Sequence, residues 1–348
     1  MNRAFDTVRR LAVPTGPGAF RLWLALLVFA HHLSSFGLGP FAVYLFFAIS
    51  GFWMHRMWQG RYRTARAPLR TYAVSRFWRL APVMMVANLL TLPFLLGLGV
   101  PRSQVLGEPI HLALSSVVLL GYAWLDYLPV GAAWSLDVEA QFYLVLPLLV
   151  LLLARVPVWA WLGLTGGVGL VFALLVDAPP TLPQYLFYFA IGMAASHENW
   201  RVPNALAWTS AAAVSTVVVV LTVTPLRDVL WGGAEPGPLF DWNPALNAVL
   251  AIVAMPYALW TVGQPDDAKD RMFGDLSYIV YLLHWAAMQW FFLQEGSVLE
   301  RLPAAALCFA IVLPLSYGVW RWIDRPLQLR RAAWVQAQLP RDKSAAVR

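Results

Sequence analysis

Two ionisable residues eleven positions apart, Arg21 and His32, stand in the first apolar run of the chain. At 100° per residue, eleven steps return to within about 20° of the same helix face, and the rise separates the pair by about 16 Å. One face therefore carries a fixed cation near its entrance and a titratable imidazole deeper in, while His31 points about 100° away. Such a pair suits a ligand with an anionic head and a reactive end. An imidazole can take a proton in general-base catalysis or carry a group covalently for a time. The plainer reading is an interface anchor and an inter-helix hydrogen bond.

A second cluster, Ser277, Tyr281 and His284, falls at i, i+4 and i+7 on one face of a later run. These groups either join helices or stabilise developing negative charge. In Trp134-Ser135-Leu136-Asp137-Val138-Glu139, Asp137 is explained by the positive end of a helix dipole. Glu139 lies deeper and is a candidate for function. Arg76 and Arg79 are i, i+3 neighbours whose forked guanidinium groups match phosphate oxygens. Ser50-Gly51-Phe52 permits close helix packing or approach to a ligand. His55, His111 and His197 lack metal-ligand spacing, and no nucleotide-binding or hydrolase motif occurs, so neither a metal nor a permanently bound cofactor is expected.

The elements that must hold these residues follow from composition. Of 348 residues, 60% are hydrophobic and 12% charged, about half the roughly 25% charge of a soluble domain. That excludes a soluble enzyme or a disordered regulator, and the lone Cys308 excludes an intrachain disulfide framework. Apolar runs stand at about 19–36, 38–54, 80–99, 110–125, 138–154, 156–176, 182–196, 205–225, 244–262, 274–293 and 303–323. The expected class is all-α, a polytopic integral membrane bundle. Arg3, Arg9 and Arg10, then Arg56 to Arg79 in the link before 80–99, then Arg325 to Arg348, are assigned to the cytoplasm by the positive-inside rule. The net charge of +7 is thus mainly orientation, not a nucleic-acid footprint. Glu108, Asp177, Glu235, Asp241, Glu295 and Glu300 fall on the other side. Both termini inside require an even number of crossings. About ten transmembrane helices are expected, with residues 101–136 forming an extracytoplasmic or re-entrant element. The chain then divides into a cytoplasmic N-terminal segment 1–18, one membrane domain 19–326 and a cytoplasmic tail 327–348. The basic start is not followed by a clean cleavage site.

Six motifs in order resemble the membrane acyltransferase-3 family: Arg21-x10-His32, Leu45 to Phe52, Arg76-x2-Arg79-Leu80-x-Pro82, Trp134-Ser135-Leu136-x2-Glu139-x-Gln141-Phe142-Tyr143, Leu276 to Trp285, and Asp324-Arg325-Pro326. The closing motif more often reads Glu-Arg-Pro, and a second acid often found after the Glu139 position is Ala140 here. The resemblance covers nearly the whole hydrophobic chain and looks like the stand-alone form, without an appended hydrolase-like domain. It implies a multi-pass enzyme of the bacterial inner membrane that moves an acyl group, most often acetyl, from cytoplasmic acyl-CoA to a hydroxyl of a surface polysaccharide or glycolipid. On that reading His32 is catalytic, as general base or acyl carrier, with Arg21 and Glu139 beside it. Arg76, Arg79 and Ser50 serve the donor, and Ser277, Tyr281 and His284 line the pocket or stabilise an oxyanion. The competing class is a transporter using the same mid-membrane polar groups. No paired broken helices are evident to support it.

Overall fold

The computed structural model describes residue 10 and residues 12–232, 236–295 and 300–340. Arg3, Arg9, Glu235, Arg341, Lys343 and Arg348 lie outside the described residues. The described residues are helical, with one isolated antiparallel bridge between Phe36 and Trp231. In order the helices are α1 (Pro17–His32), α2 (Gly39–Gly60), α3 (Pro68–Gly97), α4 (Pro109–Val118), α5 (Trp134–Leu153) and α6 (Val158–Leu175). Then follow α7 (Leu182–His197), α8 (Asn204–Val223), α9 (Asn243–Thr261), α10 (Ala268–Phe291), α11 (Leu302–Val319) and α12 (Arg325–Gln338). Six of the helical stretches are long and apolar enough to cross a membrane. They contain α3, α5, α6, α8, α9 and α11. α1 and α7 have only 16 residues each, about 24 Å of rise against a hydrocarbon core of about 30 Å. The large side chains left exposed, such as Leu89, Leu148 and Leu174, face outward as lipid-facing groups do.

Proline starts many of these helices, where its missing N–H removes nothing: Pro17, Pro40, Pro68 and Pro109 occupy first-turn positions. α3 begins twelve residues before the apolar run at 80. Arg70, Arg76 and Arg79 therefore ride on a helix instead of a link, which corrects the sequence reading. The polar residues lower the hydropathy there but nothing breaks the helix between Pro68 and Gly97. The stretch expected as the C-terminal tail begins as a helix. Residues up to Gln338 form α12, which docks on α3 through Trp334 against Trp78, ring centres 6.2 Å apart. The segment 101–136 holds no crossing helix, only the ten-residue α4, a single turn Arg102–Val105 and two short 3-10 turns. Its backbone is satisfied locally: Ala123 N–H donates to Asp137 (2.9 Å), and Val130 N–H to the Tyr122 hydroxyl (3.0 Å).

Two close approaches set the frame. α2 crosses α7 where a Cβ on Gly51 would lie 2.1 Å from the Phe189 carbonyl and one on Gly192 would lie 1.8 Å from that of Ala48. Only glycine permits this distance. α1 and α10 run parallel in one register. Gly18 N–H donates to Asp270 and His32 meets His284, both pairs separated by 252 in sequence. The Asp270 carboxylate accepts from Gly18 N–H (2.8 Å) and Ala19 N–H (2.9 Å), filling orphan donors at the positive end of α1. Asp267 caps α10 in turn, accepting from Asp270 N–H at 2.8 Å, and that bond holds its carboxyl below the ordinary range.

Candidate active site

A cavity of about 320 Å³ lies among α1, α2, α3, α5 and α10. Its polar lining includes Arg21, Arg76, Arg79, Arg331, Glu139 and Asp275. Most of these charges are already engaged. Arg79 donates to both oxygens of Asp324 at 3.2 Å and to Asp275 at 2.9 Å. Asp324 is buried, and it also accepts from Gln328 at 2.9 Å. The carboxylate of the Asp324-Arg325-Pro326 motif therefore clamps an arginine 245 residues away. A π-helical turn, Trp320–Asp324, delivers it. Pro326 cannot donate to the preceding turn, and a widened turn accommodates that loss.

Glu139 accepts from the Ser50 hydroxyl at 2.6 Å and from the Tyr143 hydroxyl. Ser50 thus orients a carboxylate that faces the arginines. Arg76 is buried and donates to Tyr62 at 2.7 Å, with weaker contacts to Ser75 and Met54. Burial alone would raise the Tyr62 hydroxyl, but the Arg76 guanidinium beside it brings it below its ordinary value. The Nε–H groups of Arg76 and Arg331 are buried with no partner among the described residues. Arg331 reaches Ser75 at 3.1 Å through Nη1. The Arg21 side chain makes no hydrogen bond among the described residues and lines the cavity.

The imidazoles lie elsewhere. α1 ends at His32, so this residue sits at the helix terminus instead of mid-helix, and Leu33 closes the last turn. His32 Nδ1 and His284 Nε2 are 2.9 Å apart. His284 Nδ1 lies 3.2 Å from the Val280 carbonyl of its own helix. Trp285 packs edge-on against His32, and Phe29 lies tilted against His284. His31 turns away to the Phe36 carbonyl at 2.7 Å and pins the loop after α1. That loop is held from α9 by Asn247, whose amide donates to Gly37 at 2.8 Å and whose carbonyl accepts from Phe41 N–H at 2.8 Å. Neither His32 nor His284 lines the arginine cavity. Tyr281 does, one turn below His284, and its hydroxyl is shared with Ser135 (2.8 Å) and the Ala132 carbonyl (3.2 Å). Ser277 also lines the cavity, donating to Gly274 at 2.8 Å.

A family model described as an acyltransferase domain matches residues 15–321. The chain belongs to the acyltransferase-3 family. It is a multi-pass membrane acyltransferase, built entirely of helices in its described residues. No curated protein and no solved structure matches it.

Within this acyltransferase, the sequence-selected residues divide into two groups. Arg21, Arg76, Arg79, Ser50, Glu139, Ser277 and Tyr281 converge on the cavity, while His32 and His284 pair outside it. Sequence reasoning missed Arg331, Asp275 and Tyr143 as cavity residues. Arg331 lies beyond the family match, on a helix read as a tail. Asp275 directly precedes the Leu276–Trp285 motif, and an acid there was the available signal for a partner to Arg79. Among the described residues no cluster of His, Cys, Asp and Glu is arranged to hold a metal ion.

Proposed function

We propose that this acyltransferase moves an acetyl or other short acyl group from cytoplasmic acyl-CoA to a sugar hydroxyl of a surface or exported polysaccharide or glycolipid. The observation that carries the proposal is the cavity, lined by Arg21 and by Arg76 and Arg331, whose Nε–H groups have no partner among the described residues, beside Glu139. Such groups suit the phosphates of a CoA donor. The cavity lies toward the end of the bundle that carries Arg61, Arg63 and Arg66, the end the positive-inside rule assigns to the cytoplasm. About ten helices crossing the bacterial inner membrane, the 16-residue α1 and α7 among them, with both termini in the cytoplasm, complete this reading.

The thioester arm runs from the arginines along α1 toward His32. As general base, His32 takes the proton of the acceptor hydroxyl as its oxygen attacks the thioester carbonyl, and CoA leaves as the thiol. As carrier, the His32 lone pair attacks the thioester carbonyl and CoA leaves as the thiolate; the acceptor oxygen then takes the acyl group from the ring, and the hydroxyl proton neutralises the thiolate. Purified protein in lipid nanodiscs, given labelled acetyl-CoA, tests the proposal. Donor turnover that is lost in His32→Ala supports it. Absence of both turnover and thermal stabilisation by CoA counts against it.

A further inference from the structure

His284 has a second ring nitrogen whose role follows from hydrogen accounting. The Val280 carbonyl is an acceptor only, so the Nδ1 that approaches it at 3.2 Å must carry the hydrogen. His284 is fully buried (0% exposed), at a depth where an uncompensated charge is costly, and the neutral ring carries one hydrogen. Its Nε2 therefore presents a lone pair. That lone pair faces His32 Nδ1 at 2.9 Å, so Nδ1 of His32 is the donor. A neutral His32 then has its own lone pair at Nε2; the Val28 carbonyl one turn back also lies close to the ring, and as an acceptor it too favours the nitrogen that carries the hydrogen.

We infer that His284 is a positioning residue that fixes the tautomer of His32, so that Nε2 of His32 is the atom that takes the proton or the acyl group. The inference rests on the assignment of His32 as the reacting residue. It holds for the base and the carrier routes alike, because both need a lone pair on the nitrogen that meets the substrate. The logic is that of a third group orienting a catalytic imidazole, here with a neutral ring as the acceptor in place of a carboxylate. The parallel register of α1 and α10, fixed at the opposite end by Asp270 on Gly18 and Ala19, sets the two rings at one height. Trp285, edge-on to His32 with ring centres 5.2 Å apart, holds the plane of the ring.

The test uses the full-length protein in lipid bilayers with nitrogen-15 in its six histidines. The His32 signals are identified by their loss in His32→Gln. The expected spectrum shows His32 protonated at Nδ1 and bare at Nε2. In His284→Ala this preference disappears and turnover falls roughly 100-fold, the scale of a misoriented acid–base group. In His284→Gln the side-chain carbonyl replaces the lost lone pair, so the Nδ1–H form and most of the turnover return. A spectrum with Nε2–H on His32 in the native protein overturns the inference. So does an unchanged tautomer and turnover in His284→Ala. Full activity in His32→Ala overturns the catalytic reading instead, and the spectrum then still decides the pairing.

Discussion

The arginine cavity and the histidine pair share α1 yet are built on opposite plans. Around the cavity, charges answer charges: Arg79 has two carboxylates, Asp324 has two donors, and Glu139 has two hydroxyls. Around His32 there is one polar contact to another ring, surrounded by aromatic side chains. Arg79 and Glu139 are held from several sides and fix the wall of the first region, while Arg76 and Arg331 keep N–H groups without partners among the described residues. The second leaves one nitrogen uncommitted, which is what a reacting group requires. Under the proposed function, gripping and reacting fall at separate places on one helix.

If that division is right, His32→Ala should give the largest effect. Transfer should fall by roughly 1000-fold or more, while CoA still raises the melting temperature, because the cavity is untouched. Loss of CoA stabilisation in this variant would show that the two regions are one. Next comes Asp324→Asn, which takes one of two carboxylates from the half-buried Arg79 and should cost about 1.5–3 kcal/mol of stability, read as a lowered midpoint in thermal unfolding. Arg76→Ala and Arg331→Ala should each raise the KM for acetyl-CoA about tenfold with little change in kcat, the weight of one charge-assisted hydrogen bond. A fall in kcat alone would move these residues from grip to chemistry. The smallest effect belongs to Asp270→Ala, which strips the acceptor from the start of α1 and should cost about 1–2 kcal/mol, again by thermal unfolding.

The sequence made some of this plain and hid the rest for physical reasons. The shared face of Arg21 and His32 follows from helix periodicity; charge parity required one run not to cross, and the short run at 110–125, opening at Pro109 and His111, was the weakest. For Gly51 the sequence offered close helix packing or approach to a ligand, and the structure shows the packing, against the Phe189 carbonyl. What could not be read was who meets whom. His32 finds His284, and Arg79 finds Asp324, across hundreds of residues, and no local spacing encodes such pairings. The start of α3 was hidden because hydropathy drops where Arg70, Arg76 and Arg79 occur, although the helix continues through them. Arg331 was missed because a polar, charged stretch reads as a solvated tail until another helix covers it.

The straight run of α1 from Ala19 to His32 contains neither proline nor glycine, and Asp270 fastens its first turn. It therefore acts as a ruler. Under the proposed function, a donor held at Arg21 must reach about 16 Å before its acyl carbon meets His32. A small carrier of the same acyl group, such as acetyl phosphate, can occupy the grip or the reacting end but not bridge them. Selection of the donor would then lie in the length of its arm, a property set by a helix that never touches the acyl group until the last turn.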